Sequence, residues 1–352
     1  MKSNKISKKA LPIGLGVTAG ALIATGVAIH LATPRPVALA AREIAKQLKV
    51  EKPDDYARYS LKVQVRSDVT YGSLFENDKL DVHMPIGEAG STYPVVFWLH
   101  GGGFVGGTRR DCSTFCTMLA SRGFVVVNLD YALAPDFTYP TPVLQLGEAY
   151  RFVAANATEF RADMSSVAFG GDSAGGQIAG QFVNIQVNAD FARACSIAQL
   201  VDAETIKAAV FFCTPFDMRH FDYISSGDGV PATEPVPMVG RLPWSYFCDR
   251  NWRESDEARR ASLVENVDTG FPATYITDSA VFSFAPQASE MAAKLKLLGT
   301  DVQTYLPSVE LGPVKESIEK RRKLPHGYQY NMELPQAFRN FELCTSFLRE
   351  HM

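Results

Sequence analysis

The chain has 352 residues, 46% of them apolar and 21% charged, enough to bury a large core in one α/β domain with insertions. A formal net charge of −3 lacks the basic excess that a nucleic-acid partner would require. The six cysteines (Cys112, Cys116, Cys195, Cys213, Cys248 and Cys344) are scattered and form no C-x-x-C pair, which argues against a zinc site and leaves any disulfide pairing undecided.

Lys2, Lys5, Lys8 and Lys9 precede an uncharged apolar run from Ala10 to Ala32. As a helix that run would be about 34 Å long, against a hydrocarbon core of about 30 Å. Residues 1–33 therefore read as an N-terminal transmembrane anchor with the lysines cytoplasmic, and residues 34–352 as the folded body. A cleavable signal competes, with Ala38-Leu39-Ala40 as its small-x-small site, although its apolar region would normally span only about 7–15 residues. Either reading places the body outside the cytoplasm, held on the membrane or secreted.

Thr33-Pro34-Arg35-Pro36 breaks this run, and Val37 to Val50 reads as an amphipathic helix. Apolar residues alternate around Leu61 to Val69 and Lys79 to Met84, as in half-buried strands. Pro94 to Leu99 and Phe124 to Leu129 are continuous apolar runs, as in strands covered on both faces. Helical patterns follow at Cys112 to Ser121 and Pro142 to Glu159, then a short strand at Val167 to Phe169 and a helix from Gln177 to Val187. Further strands fall at Ala208 to Cys213, Ala273 to Thr277 and Val302 to Tyr305, with helices at Pro286 to Leu298 and Glu333 to Glu350. Strands alternating with helices predict a mostly parallel sheet flanked by helices. Between about 219 and 270 the pattern breaks down into a Gly-, Pro- and aromatic-rich stretch with Trp244, Tyr246, Phe247 and Trp252, read as a cap inserted over the sheet.

Two motifs carry chemistry. Gly171-Asp172-Ser173-Ala174-Gly175 is G-x-S-x-G between a buried strand and a helix, where a tight turn lifts a serine hydroxyl above a sheet. His100-Gly101-Gly102-Gly103 ends the strand Pro94 to Leu99, where a glycine backbone can aim amide N–H groups at a developing oxyanion. The two occur in the chain order and at the separation that this architecture needs.

On these residues the sequence resembles the hormone-sensitive-lipase branch of the α/β-hydrolases. His100-Gly101-Gly102-Gly103-Phe104 is similar to its oxyanion motif, and Gly171 to Gly176 to its nucleophile elbow. Asp130-Tyr131-Ala132-Leu133-Ala134-Pro135 is similar to its Tyr-Arg-Leu-Ala-Pro segment, with Ala132 where arginine is usual. The likeness is strong from Lys79 to Ile185, weaker beyond, and absent before Val37. It implies an α/β-hydrolase fold, Ser173 as nucleophile, oxyanion donors at Gly102, Gly103 and Ala174, and His326 as base in Leu324-Pro325-His326-Gly327-Tyr328. The family's acid position falls on Val281 or Phe282, which carry no carboxyl group. Asp278, just past its strand, is the candidate orienting acid, and Asp217 the substitute. The connection from Gly299 to His326 is longer than the family's and holds a basic cluster between Lys315 and Lys323, with Glu316 and Glu319 interspersed.

The implied activity is a serine carboxylesterase on short- to medium-chain esters, working through an acyl-enzyme and needing no metal or organic cofactor. Its partners would be a small-molecule ester and, through the N-terminal helix, the membrane. A peptidase or amidase on the same scaffold competes. So does a surface protein that kept the fold but lost catalysis, a reading motivated by the missing acid.

Overall fold

The computed structural model describes residues 32–45, 52–224, 234–307 and 324–352. The apolar run at 10–31 and the basic cluster at 315–323 lie outside the described residues. Among the described residues no helix is long and apolar enough to cross a membrane.

The strands are β1 (Val63–Thr70), β2 (Lys79–Pro85), β3 (Tyr93–Leu99), β4 (Val125–Leu129), β5 (Ala162–Asp172), β6 (Ile206–Phe212), β7 (Ala273–Thr277) and β8 (Val302–Tyr305). They form one eight-stranded sheet in the order β1-β2-β4-β3-β5-β6-β7-β8. β1 and β2 run antiparallel to their neighbours, and every pairing from β4–β3 to β7–β8 is parallel. The helices that bear on the site are α1 (Arg35–Ala45), α2 (Ser113–Ala120), α3 (Thr141–Ala155), α4 (Ala174–Val187), α5 (Arg241–Phe247), α6 (Ala285–Leu297) and α7 (Pro335–His351).

The continuous apolar runs sit where the sequence predicts, because β3 and β4 are buried on both faces. Successive side chains of β3 alternate between two cores. Val95, Phe97 and Leu99 join residues of α3, α4 and α6 on one face. Val96 and Trp98 join Phe115 of α2 and Phe341 and Phe347 of α7 on the other. The sheet is therefore a middle layer, and the motif loops emerge from the carboxyl ends of β3 and β5 at one edge of it.

Two boundaries differ from the sequence reading. β5 is 11 residues long and runs through Gly170 and Gly171, which lack the β-branched signature of a strand. A Cβ on Gly170 would stand 2.6 Å from the Val210 carbonyl oxygen of β6, so only glycine fits there. Described residues of the aromatic stretch at 219–270 pack into the body of the domain. Tyr246, Phe247 and Trp252 belong to the same buried cluster as Phe97, and Gln177 and Gln181 of α4 donate to the carbonyls of Ala261 and Arg260 at 2.8 and 3.1 Å. Among the described residues of this stretch, Phe221 and Leu242 line the site. All six cysteines are free.

Candidate active site

Ser173 occupies φ 52° and ψ −119°, outside the regions open to ordinary L-residues, between the end of β5 and the first turn of α4. Its N–H donates to the Phe212 carbonyl at 2.7 Å, and its own carbonyl accepts from Gln177 at 3.1 Å. The turn is thus pinned to β6 on one side and to α4 on the other. Close packing beneath it requires glycine: a Cβ on Gly175 would stand 2.2 Å from the Leu99 carbonyl oxygen.

A cavity of about 410 Å³ opens over this serine. Gly102 and Gly103 form one wall, His326 and Phe282 face it, and Phe221, Leu242 and Phe284 supply apolar surface. Gly102 has φ +123°, and a Cβ there would meet the Gly106 carbonyl oxygen at 2.1 Å, so the loop can close only on glycine. Among the described residues no backbone acceptor takes the N–H of Gly102 or Gly103. Ala174 opens α4, where an N–H has no acceptor within its own helix. Ser173, His326, Gly102 and Gly103 therefore line one cavity, with Ala174 next to the serine, although no hydrogen bond joins Ser173 to His326 among the described residues.

Two supports were invisible in the sequence. Asp172, next to the serine, turns under the oxyanion loop and accepts from the Gly101 N–H at 3.0 Å and the Tyr330 hydroxyl at 2.6 Å. Trp98 Nε1 donates to the same Tyr330 hydroxyl at 2.9 Å. Burial raises the Asp172 carboxyl to about 7, against the lowering effect of those hydrogen bonds. The second support is α1. Its Arg42 donates to the carbonyls of Val105 and Ala134 at 2.7 and 2.9 Å, and its Ala38 is fully buried in a cluster with Val105, Ala134 and Leu242.

Among the described residues, neither candidate acid hydrogen-bonds His326. Asp278 is fully buried, and the hydrogen bonds its carboxylate makes are local and on one oxygen: Oδ1 accepts from Ser279 N at 2.7 Å, Ser283 Oγ at 2.8 Å, Phe284 N at 3.1 Å and Ser279 Oγ at 3.3 Å. Its Oδ2 has no partner, so it makes no hydrogen bond to His326. Asp217 is also committed elsewhere, to the ring of His220 at 2.6 Å, the Arg219 N–H at 3.0 Å and Ser262 Oγ at 3.0 Å. His326 Nδ1 instead lies 2.9 Å from the backbone carbonyl oxygen of Phe282. The rings of Phe282 and Phe284 stand edge-on to the imidazole, with centroids 5.4 and 5.9 Å away. Burial in this apolar setting lowers the histidine to about 4, only partly opposed by the carbonyl hydrogen bond.

Comparison with known proteins agrees with this architecture. The family model described as alpha/beta hydrolase fold matches residues 96–307, more than half of the chain. The versiconal hemiacetal acetate esterase of Dothistroma septosporum is 30% identical over 236 residues, 66% of this chain and 69% of that protein. An esterase of Gibberella moniliformis is 27% identical over 71% of this chain and 74% of its own. Among solved structures, inhibited esterase B of Lactobacillus rhamnosis superposes with a TM-score of 0.68 at 21% identity, covering 89% of this chain and 93% of that one, a likeness of fold. The chain belongs to the α/β-hydrolase family, in its hormone-sensitive-lipase-like branch, and is a hydrolase.

Proposed function

We propose that this hydrolase is a serine carboxylesterase acting on esters of short to medium acyl chains. Ser173 Oγ attacks the ester carbonyl while His326 Nε2 takes its proton. The N–H groups of Gly102, Gly103 and Ala174 hold the oxyanion, each such donor contributing about 2.7–4 kcal/mol to the transition state. The proton then passes from His326 to the departing alcohol, and water delivered by the same ring releases the acid from Ser173. The observation that carries this reading is the strained Ser173 turn opening into the cavity that His326, Gly102 and Gly103 also line. Apolar walls at Phe221, Leu242 and Phe284 suit an acyl chain, and the matched Dothistroma relative is named for an acetate ester.

Fluorophosphonate labelling and p-nitrophenyl ester turnover test the reading. Wild type labels and turns over, and Ser173→Ala loses both, with kcat reduced on the order of 10⁶-fold. Full turnover in Ser173→Ala sinks the reading, and a folded wild type that does not label points to a non-catalytic role. Matched ester and amide substrates separate it from a peptidase.

The body lies outside the cytoplasm, tethered by an uncleaved N-terminal helix. Two features support retention over cleavage: the length of the apolar run, and the position of Ala38-Leu39-Ala40 within α1, where Ala38 is packed against the body. Fractionation with carbonate extraction, and the mass of the mature N-terminus, check both points. A soluble chain beginning after Ala40 refutes the tether.

A further inference from the structure

We propose that the backbone carbonyl of Phe282 takes the place of the triad carboxylate in orienting His326, and that Asp278 is a positioning residue that holds this carbonyl in place. The inference deepens the serine-esterase reading and rests on it.

A triad acid has two tasks. It selects the imidazole tautomer by accepting from Nδ1–H, and it offsets the charge when the ring becomes imidazolium. A carbonyl performs the first fully and the second weakly. At 2.9 Å from His326 Nδ1, the Phe282 oxygen can act only as an acceptor, so the neutral ring carries its proton on Nδ1 and keeps its lone pair at Nε2. That leaves Nε2 free to serve Ser173.

The oxygen is held by construction. Phe282 has φ +55°, a left-handed backbone that a bulky residue adopts only when its surroundings impose it. The N–H groups of Ala280 and Val281 both donate to the Leu324 carbonyl, at 2.9 and 3.2 Å, and Val281 bridges to Pro325. The carbonyl-bearing loop and the histidine-bearing segment are thus stitched together on both sides of the contact. Asp278 closes the other side of the loop by gathering Ser279, Ser283 and Phe284 onto one oxygen, and Ser279 Oγ also reaches the Phe282 carbonyl at 3.4 Å.

Among the described residues no carboxylate hydrogen-bonds the His326 ring. Of the acids lining the cavity, Asp172 is engaged by Gly101 and Tyr330, and Asp111 accepts from the Thr108 N–H at 2.7 Å. The family's acid position falls on a residue with no acid to offer, and the main chain at that position reaches Nδ1 instead.

The test combines Asp278→Asn with ¹⁵N NMR of the His326 ring and a pH profile on the same samples. Asp278→Asn, whose amide oxygen can still accept from the same four donors, lowers kcat far less than Asp278→Ala, which releases the loop and the Phe282 carbonyl with it. Asp278→Asn also keeps the Nδ1-protonated tautomer and leaves the acid limb of kcat/KM in place. A triad carboxylate predicts the opposite, a fall in kcat of about 10⁴-fold with a change of tautomer, and that result overturns the proposal. Should Asp278→Asn fail to fold, the wild-type ring still decides. Protonation below the ordinary histidine midpoint, from an Nδ1–H neutral form, supports carbonyl orientation, whereas a midpoint at or above about 7 marks a carboxylate partner and overturns it. Failure of the esterase reading shows separately, as absent fluorophosphonate labelling, and leaves the ring spectrum interpretable.

Discussion

In the proposed reaction the chemistry turns on one imidazole. His326 stands between two phenylalanine edges with a neutral dipole at Nδ1, so its charged form gains little from its surroundings and the ring stays neutral down to about pH 4. A general base works only when unprotonated. The acid limb of kcat/KM should therefore fall as pH drops through about 4, with the rate flat between pH 5 and 7. A limb near 6.5, measured on a short-chain ester, would show that the ring is solvated or paired with an acid. The same setting makes His326 a weak base, so the site trades driving force for proton transfer against tolerance of acid.

At the scale of elements, helix α1 buttresses the glycine loop that follows β3 rather than standing as a surface appendage. Arg42 caps two carbonyls, one on the loop that follows Gly103 and one in the segment Ala132–Ala134, while Ala38 packs beside Leu242 of the cavity wall. Arg42→Ala should cost about 1–3 kcal/mol in urea unfolding. Hydrogen exchange should also show α1 opening before the sheet, with KM raised through movement of Leu242. Loss of stability with unchanged KM would confine the role of α1 to packing. The nucleophile turn is likewise a matter of element junctions: β5 must pack Gly170 and Gly171 against β6 and β3 so that Ser173 lands above the sheet edge.

Across the whole molecule, the site is assembled from segments far apart in the chain. Trp98 of β3, the Tyr330 hydroxyl, Asp172 and the Gly101 N–H form one hydrogen-bonded path that joins the centre of the sheet to the turn following His326. This path links the oxyanion loop to the histidine segment, and α7 packs behind it through Phe341 and Phe347. Tyr330→Phe removes the hydroxyl that lowers Asp172 and leaves a buried carboxyl with one donor fewer. The expected result is a loss of about 1–3 kcal/mol in stability, seen in chemical denaturation, together with a reduced kcat. Asp172 in that variant should stay protonated to higher pH than the value of about 7 that it holds in the wild type. Unchanged kcat would show that the two walls keep their places without the path.

Much of this protein is determined by local sequence. The buried strands follow from continuous apolar runs, the elbow from glycines around a serine between strand and helix, and the oxyanion loop from three successive glycines after β3. In each case the physics acts between near neighbours in the chain, so residue identity is enough. His326 was legible from chain order and from the residues beside it. The extent of β5 was not, because Gly170 and Gly171 are strand residues only by virtue of the β6 backbone against them, and the aromatic stretch at 219–270 joined the core because α4 presents polar side chains to its carbonyls. On the proposed arrangement, the partner of the histidine was illegible for a deeper reason. Every residue carries a carbonyl, so a main-chain oxygen at Nδ1 leaves no mark in composition or motif. Only the pairing of the Ala280–Phe282 loop with Leu324 and Pro325 decides which of them meets the histidine.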